Sequence, residues 1–409
     1  MDAALILALV SCALTLIALV MLGAVLHRQG TDRATLRDID RRTRAGARIA
    51  AQSANATRSP GSGAPGDGRA SAAGASGPGE AVAAEPEGAD QPIPATALPH
   101  IAVVLNPSKH ADPERYREYL HQSIERFEGS QARFYETTRE DPGYGQALQA
   151  VRDGADLVIA AGGDGTVRTV AAALAGTDTA MAVLPVGTGN LLARNLDVPL
   201  EDVAGALKVA LHGRDRMADV GWMRSGRTPQ ELEIARPEIF LVMAGFGADA
   251  EIMGATSPTM KRRIGWMAYV VAGAKSVVGR SQDVHITLPG GTRRTMPART
   301  VLIGNVGKLP GGIVLMPDAE IDNGRLEVLA LGWRGAAGLG QIIARLVTPR
   351  MRVQTPRTTT VERFLVSRVE IVSGKPLPVQ YDGDPDREAT HITAWVEPAS
   401  LRLRVPQDA

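Results

Sequence analysis

The sequence is poor in cysteine, and Cys12 is the only one among 409 residues. No intrachain disulfide can form, and a zinc site built on cysteines is excluded. The seven histidines are scattered, and no two are spaced to share one face of a helix, so a histidine-rich metal centre is not expected. An excess of one charge is also lacking, because 45 basic residues balance 44 acidic ones to a net charge of +1. The composition therefore gives no reason to expect nucleic acid as a partner.

Aromatic residues make up only 4% of the sequence, and one long segment has none. Residues 53–97 are mostly Gly, Ala, Ser and Pro, and Val82 is the only branched aliphatic residue between Ile49 and Ile93. Such a segment cannot bury enough apolar surface to offset the entropy of the chain. We predict that residues 28–98 comprise a basic juxtamembrane segment and a disordered linker with a reach on the order of 40 Å.

The start of the chain lacks charge. Residues 3–26 contain no charged side chain and would form a helix of roughly 36 Å, which is long enough to span a bilayer. A cleaved signal peptide is the alternative, but the start Met1-Asp2 has no basic residue and the apolar run is longer than such a peptide needs. We therefore predict a transmembrane helix over residues 1–27. The arginines that follow it favour a single-pass protein of the cell membrane, with the C-terminal bulk of the chain in the cytoplasm.

The pattern after residue 98 is that of a globular protein with two parts. Apolar runs that end in turns alternate with helical segments, which predicts βαβ units and a parallel sheet over residues 99–218. The apolar segments that follow are short and separated by turns, which predicts a mostly β second domain over residues 219–409. The last strand of that second domain could return to the first one.

Two glycine turns carry the strongest chemical signal. Gly162-Gly163-Asp164-Gly165-Thr166 follows one predicted strand, and Pro185-Val186-Gly187-Thr188-Gly189-Asn190 follows the next. Glycines let backbone amides approach phosphate oxygens, and both turns would lie at the carboxyl edge of a parallel sheet, where ligands bind. Asp164 would repel a phosphate, so a bridging cation or a hydrogen bond to a ribose would account for it. Neither turn fits the dinucleotide fingerprint or the Walker loop, and a tight strand-to-helix connection without a ligand is the alternative.

Taken in order, the motifs resemble those of one family. Asn106-Pro107, the two glycine turns and the late turn Val379-Gln380-Tyr381-Asp382-Gly383-Asp384 are similar to the lipid kinase superfamily of diacylglycerol and sphingosine kinases. The first glycine turn alone is shared with NAD kinases and phosphofructokinases, and the later elements narrow the choice. The resemblance implies an α/β fold, in which a Rossmann-like nucleotide-binding domain is followed by a β-sandwich domain and ATP meets the substrate in the cleft between them.

The resemblance also implies roles for individual residues. Asp382 and Asp384 would activate the acceptor hydroxyl. The choice of base between them is open, because the family usually has Glu where this chain has Asp384. ATP would be contacted by a larger set: Asn106, Pro107, Thr137, Gly162, Gly163, Asp164, Gly165, Thr166, Gly187, Thr188 and Asn190. Thr138 is the alternative to Thr137 in this set.

Metal sites follow less directly from the same resemblance. Asp164 is one candidate ligand. A structural cation at Asp322 and Asn323 is left open, because Asn323 stands where the family's Asp-Gly turn has its Asp. The spacing of aspartates in the late turn is also typical of a calcium loop, but Arg387 stands where such a loop needs glycine. A polar hairpin tip without a ligand is the simpler alternative for that turn.

We expect a lipid kinase that uses ATP and Mg²⁺, with its catalytic part in the cytoplasm and diacylglycerol converted to phosphatidic acid as the first choice. A sphingoid or other lipid, or a soluble substrate as in NAD kinases, is the alternative acceptor. A catalytically weak lipid-binding regulatory module is the alternative of a different class. The expected partners are ATP, a membrane lipid and the membrane itself, without nucleic acid, and a homodimer is left open.

Residues 260–271, basic and then apolar, are typical of either a lipid-entry helix or a core helix.

Overall fold

The computed structural model of the protein describes residues 99–128, 132–247, 281–309, 313–333 and 359–408. These residues belong to one compact unit, Gln91–Ala409, and the other unit, Met1–Asp90, lies wholly outside them. The predicted transmembrane helix, the juxtamembrane segment with its linker, and the stretch 260–271 also lie outside the described residues.

The prediction of a single-pass membrane location is wrong for the part of the chain that the structure describes. No helix within that part is long and apolar enough to cross a bilayer. The longest of its helices, Pro113–Glu128, has 16 residues and carries charged side chains along its length, whereas a spanning helix needs about 20 apolar residues.

The first half of the fold is an α/β unit built on four parallel strands. Its elements in chain order are β1 (Ile101–Leu105), a 3-10 helix (Pro107–Lys109), α1 (Pro113–Glu128), β2 (Ala132–Glu136), α2 (Tyr144–Arg152), β3 (Leu157–Gly162), α3 (Asp164–Leu174), β4 (Ala180–Pro185), α4 (Leu191–Asn195) and α5 (Val203–His212). The strands lie in the order β2-β1-β3-β4. β1, β3 and β4 are buried along their whole length, because continuous apolar runs suit a parallel sheet that is covered on both faces.

The second half is antiparallel and almost entirely β. Its elements in chain order are β5 (Arg214–Gly226), α6 (Pro229–Ile234), β6 (Glu238–Phe240), β7 (Met243–Gly247), β8 (Gln282–Thr287), a 3-10 helix (Pro289–Gly291), β9 (Arg293–Ala298), β10 (Thr300–Gly304), β11 (Lys308–Leu309), β12 (Ile313–Val314), β13 (Leu326–Trp333), β14 (Thr359–Val366), β15 (Arg368–Tyr381) and β16 (Asp384–Val405). The prediction of an α/β half followed by a β-rich half is confirmed.

One long strand joins the two halves. β16 pairs antiparallel with β5 along most of its length, and near its end Leu403 lies opposite Met181 of β4 in parallel pairing. All strands except β11 and β12 therefore belong to one 14-stranded sheet within the described residues. The domain boundary predicted between residues 218 and 219 falls inside β5, so no flexible linker separates the halves there.

The helix after the first glycine turn includes the last residues of that turn. It begins at Asp164, with Gly163 as its extended N-cap residue. An acidic residue in the first turn favours this start, because a carboxylate interacts well with the positive end of the helix dipole. The residues Asp164-Gly165-Thr166 are thus the first turn of a helix rather than a free loop.

Asp219 ties together three segments of the second half. Its side chain is buried, and its two carboxylate oxygens accept hydrogen bonds from the amides of Gly324 at 2.6 Å and Ala399 at 2.8 Å. Its own amide donates to the carbonyl of Ile321 at 2.6 Å. A buried charge of this kind is tolerated because its hydrogen-bonding capacity is used by fixed donors.

Replacing Asp219 by Ala should lower the free energy of unfolding by about 2–4 kcal/mol, because two amides lose their acceptor away from water. Denaturant unfolding of the purified protein measures this change. Asp178→Ala is the matched control, since the Asp178 side chain is fully exposed, and it should change the value by less than about 0.5 kcal/mol. Equal values for the two variants would show that Asp219 does not hold these segments.

Candidate functional site

The four parallel strands end at one edge of the sheet. Asn106 follows β1, Thr137 follows β2, Gly163 follows β3 and Gly187 lies just after β4. The first residues beyond the strands still bond across this edge: the amide of Asn106 donates to Ala161 at 3.0 Å, and that of Thr137 donates to Leu105 at 2.9 Å. The residues expected to contact ATP are therefore brought together where ligands bind in open α/β sheets.

The carboxylate of Asp164 connects the two glycine turns by hydrogen bonds. Its Oδ2 accepts from the amide of Asn190 at 3.0 Å, and its Oδ1 accepts from the amide of Leu191 at 2.6 Å. Asn190 adopts the left-handed conformation with φ 47°, and its side-chain amide bonds in both directions to the backbone of Gly187. The acidic residue in the first turn is thus satisfied by backbone donors at the start of α4, and neither a cation nor a ribose is needed to explain it.

The two turns touch backbone to backbone. A Cβ atom on Gly187 would lie 2.8 Å from the Cα of Gly163 and 2.9 Å from Oδ1 of Asn190, which is too close for either contact. A Cβ atom on Gly163 would meet nothing closer than 3.6 Å. Beneath the turns, the side-chain amide of Asn106 donates to the buried hydroxyl of Thr166 at 3.2 Å. Packing therefore requires glycine at position 187 but leaves room for a Cβ atom at position 163, a difference that the sequence motif does not show.

Negative charge accumulates beside the start of α3. The pKa of Asp164 is raised to about 6, chiefly by burial and also by the nearby carboxylates of Asp382 and Asp384, while the amides of Leu191 and Asn190 oppose the rise. The late turn, although more than 200 residues away in sequence, is therefore next to the first glycine turn. This proximity creates a site at the meeting of the two halves.

The late turn is a two-residue β-hairpin between β15 and β16. Tyr381 pairs with Asp384, and the two residues between them, Asp382 and Gly383, both have positive φ angles of 47° and 90°. Tight hairpins with positive φ at both central positions favour Asp-Gly, which is the dipeptide at this tip. The hairpin thus fixes the backbone positions of two acidic residues, Asp382 and Asp384, by local geometry.

The two carboxylates have different surroundings. Asp382 is buried, and its oxygens accept from the amides of Leu241 at 2.9 Å, Val242 at 2.8 Å and Met243 at 3.0 Å. Burial raises the pKa of Asp382, while Arg168 and these three amides oppose the rise. These three hydrogen bonds hold the bend before β7.

Asp384 is the more available of the two. Its side chain is 54% exposed, and its Oδ2 accepts from Nη2 of Arg168 at 3.0 Å. The same oxygen would lie 3.2 Å from a Cβ atom on Gly165, so this carboxylate faces the first turn of α3. Its other oxygen, Oδ1, makes no hydrogen bond within the part of the chain that the structure describes. The geometry therefore distinguishes a structural Asp382 from an Asp384 that has a free oxygen at the site.

The candidate metal ligands from the sequence do not come together. Both oxygens of Asp322 accept from the guanidinium of Arg216, at 2.8 and 2.9 Å, and this contact lowers the pKa of Asp322. Oδ1 of Asn323 accepts from the amide of Arg325 at 2.9 Å, and both oxygens of Asp164 are also bonded. Across the described ranges, no group of three or more His, Cys, Asp and Glu side chains could hold a metal ion. These contacts do not fit a structural cation at Asp322 and Asn323.

Two basic residues at the site were not singled out from the sequence. Lys109 ends the 3-10 helix after Asn106, and its Cε and Nζ lie 3.6 and 3.8 Å from where a Cβ atom on Gly163 would be. Its position three residues after Asn106 could have drawn attention to it. Arg168 lies four residues after Asp164, a spacing that predicts a pair along the helix surface, yet it reaches the late hairpin instead.

Two family models match the chain in the same order as the two halves of the fold. Residues 100–223 match the model described as the diacylglycerol kinase catalytic domain. Residues 242–405 match the model described as the YegS C-terminal NAD kinase beta sandwich-like domain. The first match covers both glycine turns, and the second covers the late hairpin.

Individual relatives match over most of their length. The chain is 30% identical over 319 residues to a Xanthomonas campestris pv. campestris protein named "probable lipid kinase YegS-like", covering 76% of this chain and 97% of the relative. It is 27% identical over 291 residues to the diacylglycerol kinase of Bacillus subtilis, covering 69% of this chain and 88% of the relative. A crystal structure of a diacylglycerol kinase from Bacillus anthracis str. Sterne is similar at a TM-score of 0.57 and 20% identity, over 76% of this chain and 98% of that one. At this identity the last match establishes the fold alone.

Replacing Gly187 by Ala should lower the free energy of unfolding by about 1–3 kcal/mol, because the added methyl group forces the two turns apart. Gly163→Ala is the matched control in the facing turn. It has room for a Cβ atom and an extended backbone with φ −86°, so its effect should stay within about 0.5 kcal/mol. Denaturant unfolding of both variants measures the difference, and an equal effect would contradict the close approach of the turns.

Proposed function

We propose a specific reaction for this chain from the premise that it belongs to the family of YegS-like and diacylglycerol kinases and is therefore a lipid kinase. The reaction is transfer of the γ-phosphoryl group of ATP to the hydroxyl of diacylglycerol, giving phosphatidic acid and ADP. The observation that carries it is the position of the hairpin Asp382-Gly383-Asp384, which lies against the first turn of α3 at the edge that holds both glycine turns. Phosphate-binding features and an available carboxylate thus occur at one site.

The proposed role of the sheet edge is to hold the phosphates of ATP. The first turn of α3 directs backbone amides and the positive end of a helix dipole outward, which favours anions. Lys109 adds an exposed ammonium that makes no ion pair within the described residues. Asn106 and Thr166 hold this arrangement through their hydrogen bond. Together these groups offset the repulsion between the phosphates and the carboxylates of the site.

Asp384 is the proposed base. The lipid oxygen attacks the γ-phosphorus, a new O–P bond forms, and the bond from that phosphorus to the β–γ bridging oxygen breaks as ADP leaves. The hydroxyl proton passes to Asp384, whose Oδ1 has no other hydrogen bond in the part that the structure describes. Asp382 is assigned to holding the hairpin, because its oxygens already accept from three amides. Positioning of the two substrates is expected to supply most of the rate, as in other phosphoryl transfers.

The donor set at the site fits a magnesium ion that arrives on ATP rather than one held by the protein alone. Magnesium is usually bound by one or two carboxylates together with waters and substrate phosphates. The oxygens of Asp164 and Asp382 are bonded to backbone amides, and Oδ1 of Asp384 is assigned to the acceptor proton, so the phosphates of ATP and waters would supply most of the ligands. When bound, the ion would neutralise the charge that develops on the transferring phosphoryl group.

Wild-type protein with Mg²⁺ and labelled ATP should phosphorylate diacylglycerol in mixed detergent micelles, and Asp384→Asn should lower kcat by about 10²–10⁴-fold because the proton acceptor is lost. The assay should present diacylglycerol, a sphingoid base, ceramide and soluble NAD side by side. Asp386→Asn is the matched control, since Asp386 is two residues further along the same strand and pairs with Arg387 at 3.7 Å. It should keep at least half of the wild-type kcat.

Two results would contradict this proposal. Transfer to NAD without transfer to any lipid would exclude the lipid hydroxyl as acceptor. An Asp384→Asn variant with the wild-type kcat would show that the carboxylate is not the base.

Replacing Lys109 by Met should raise the KM for ATP about tenfold with little change in kcat, because a charge-assisted contact to phosphate is worth about 1.5–3 kcal/mol. The measurement is the initial rate as a function of ATP concentration at saturating lipid. Lys375→Met is the control, because Lys375 is also exposed and lies on β15. If both variants keep the wild-type KM, Lys109 makes no contact with ATP.

A further inference from the structure

Arg168 connects the two halves of the fold at the site. It lies on the second turn of α3, and its guanidinium reaches two groups of the late hairpin. Nη1 donates to the carbonyl of Tyr381 at 2.7 Å, and Nη2 donates to Oδ2 of Asp384 at 3.0 Å. The guanidinium carbon also lies 5.9 Å from the centre of the Tyr381 ring. One side chain thus contacts the residues on both sides of the hairpin tip.

These contacts differ from those of an ordinary surface ion pair. Exposed ion pairs contribute little to the stability of a fold, because solvent screens the charges and both side chains lose conformational freedom. The Arg168 side chain is only 21% exposed, and its two donors bind the carbonyl of Tyr381, which the hairpin holds in place, and the side-chain carboxylate of Asp384. A planar guanidinium can make both bonds at once, whereas the ammonium of lysine cannot reproduce this geometry.

The charges around Arg168 give it a second effect. Asp164, Asp382 and Asp384 are close enough to one another for the two late carboxylates to raise the pKa of Asp164. Like charges at this distance favour movement of Asp384, the most exposed of the three, away from α3. Arg168 supplies a positive charge beside Asp384 and also opposes the rise in the pKa of Asp382. It therefore opposes the repulsion that would open the site.

We infer that Arg168 is a positioning residue for the phosphoryl transfer. It holds Oδ2 of Asp384 against the first turn of α3 and leaves Oδ1 as the oxygen that takes the proton of the acceptor hydroxyl. The inference rests on the proposed function, since it concerns the base of that reaction. Arg168 itself binds neither ATP nor lipid in this account, so its loss changes kcat rather than substrate binding.

The first experiment compares kcat and the KM for ATP in wild-type protein, Arg168→Met and Arg168→Lys. Arg168→Met should lower kcat about 10²-fold, the cost expected when a reacting group moves by about 1 Å. Arg168→Lys keeps the charge but not both bonds, so it should lower kcat only about tenfold. The KM for ATP and the dissociation constant for ATP from calorimetry should both change less than about threefold.

Arg216→Met is the matched control for the loss of a partly buried guanidinium. Arg216 binds both oxygens of Asp322 at 2.8 and 2.9 Å, its side chain is 28% exposed, and neither residue belongs to the proposed site. This variant should keep kcat within about twofold of the wild-type value.

The second experiment tests whether Arg168 acts through Asp384. In single-turnover assays the double variant Arg168→Met with Asp384→Asn should be no slower than Asp384→Asn alone, because the carboxylate that Arg168 positions is already lost. If Arg168 only stabilised the fold, Arg168→Met would lower the rate by the same factor in the wild-type protein and in the Asp384→Asn variant.

The outcomes separate the inference from the function on which it rests. A wild-type kcat in Arg168→Met, a raised KM for ATP in place of a lowered kcat, or losses that multiply in the double variant would each overturn the role of Arg168 while Asp384→Asn remains impaired. If Asp384→Asn itself keeps its kcat, the proposed function fails, and the inference about Arg168 fails with it.

Discussion

The site depends on the hydrogen bonds that the buried carboxylate of Asp382 accepts. Three consecutive amides, from Leu241 to Met243, donate to it, and its own amide donates to the carbonyl of Met243 at 2.8 Å. A charge removed from water requires this degree of compensation, because an incompletely bonded carboxylate in the interior is strongly destabilising. The bonds fix the hairpin to the bend before β7, and Asp384 is placed beside α3 as a consequence.

The continuous sheet makes this placement rigid. β16 begins at Asp384 in the hairpin and ends beside β4, whose own end leads into the second glycine turn. The two halves therefore share a strand at the site instead of meeting across a hinge. Proposed phosphate binding and proposed proton transfer involve elements joined by backbone hydrogen bonds. This continuity explains how a carboxylate more than 200 residues from the first glycine turn can face the start of α3.

Local signals in the sequence predicted much of this framework. The buried parallel strands are continuous apolar runs, and the Asp-Gly tip of the hairpin has the composition that its turn requires. The partners of individual side chains could not be predicted in the same way, because they depend on packing between distant segments. Asp164 bonds to amides 26 and 27 residues away, and Arg168 bonds to atoms 213 and 216 residues away. The roles of Asp382 and Asp384 differ only through burial, which the motif does not encode.

The nucleotide site is tested most directly by hydrogen–deuterium exchange with and without a non-hydrolysable ATP analogue and Mg²⁺. We expect the analogue to slow exchange of the amides in residues 163–166, residues 187–191 and the hairpin 382–384, because nucleotide would lie between these three segments. Exchange in β14, at the far end of the sheet, should stay unchanged and serves as the internal reference. Protection that excludes both glycine turns and the hairpin would show that this sheet edge is not the nucleotide site.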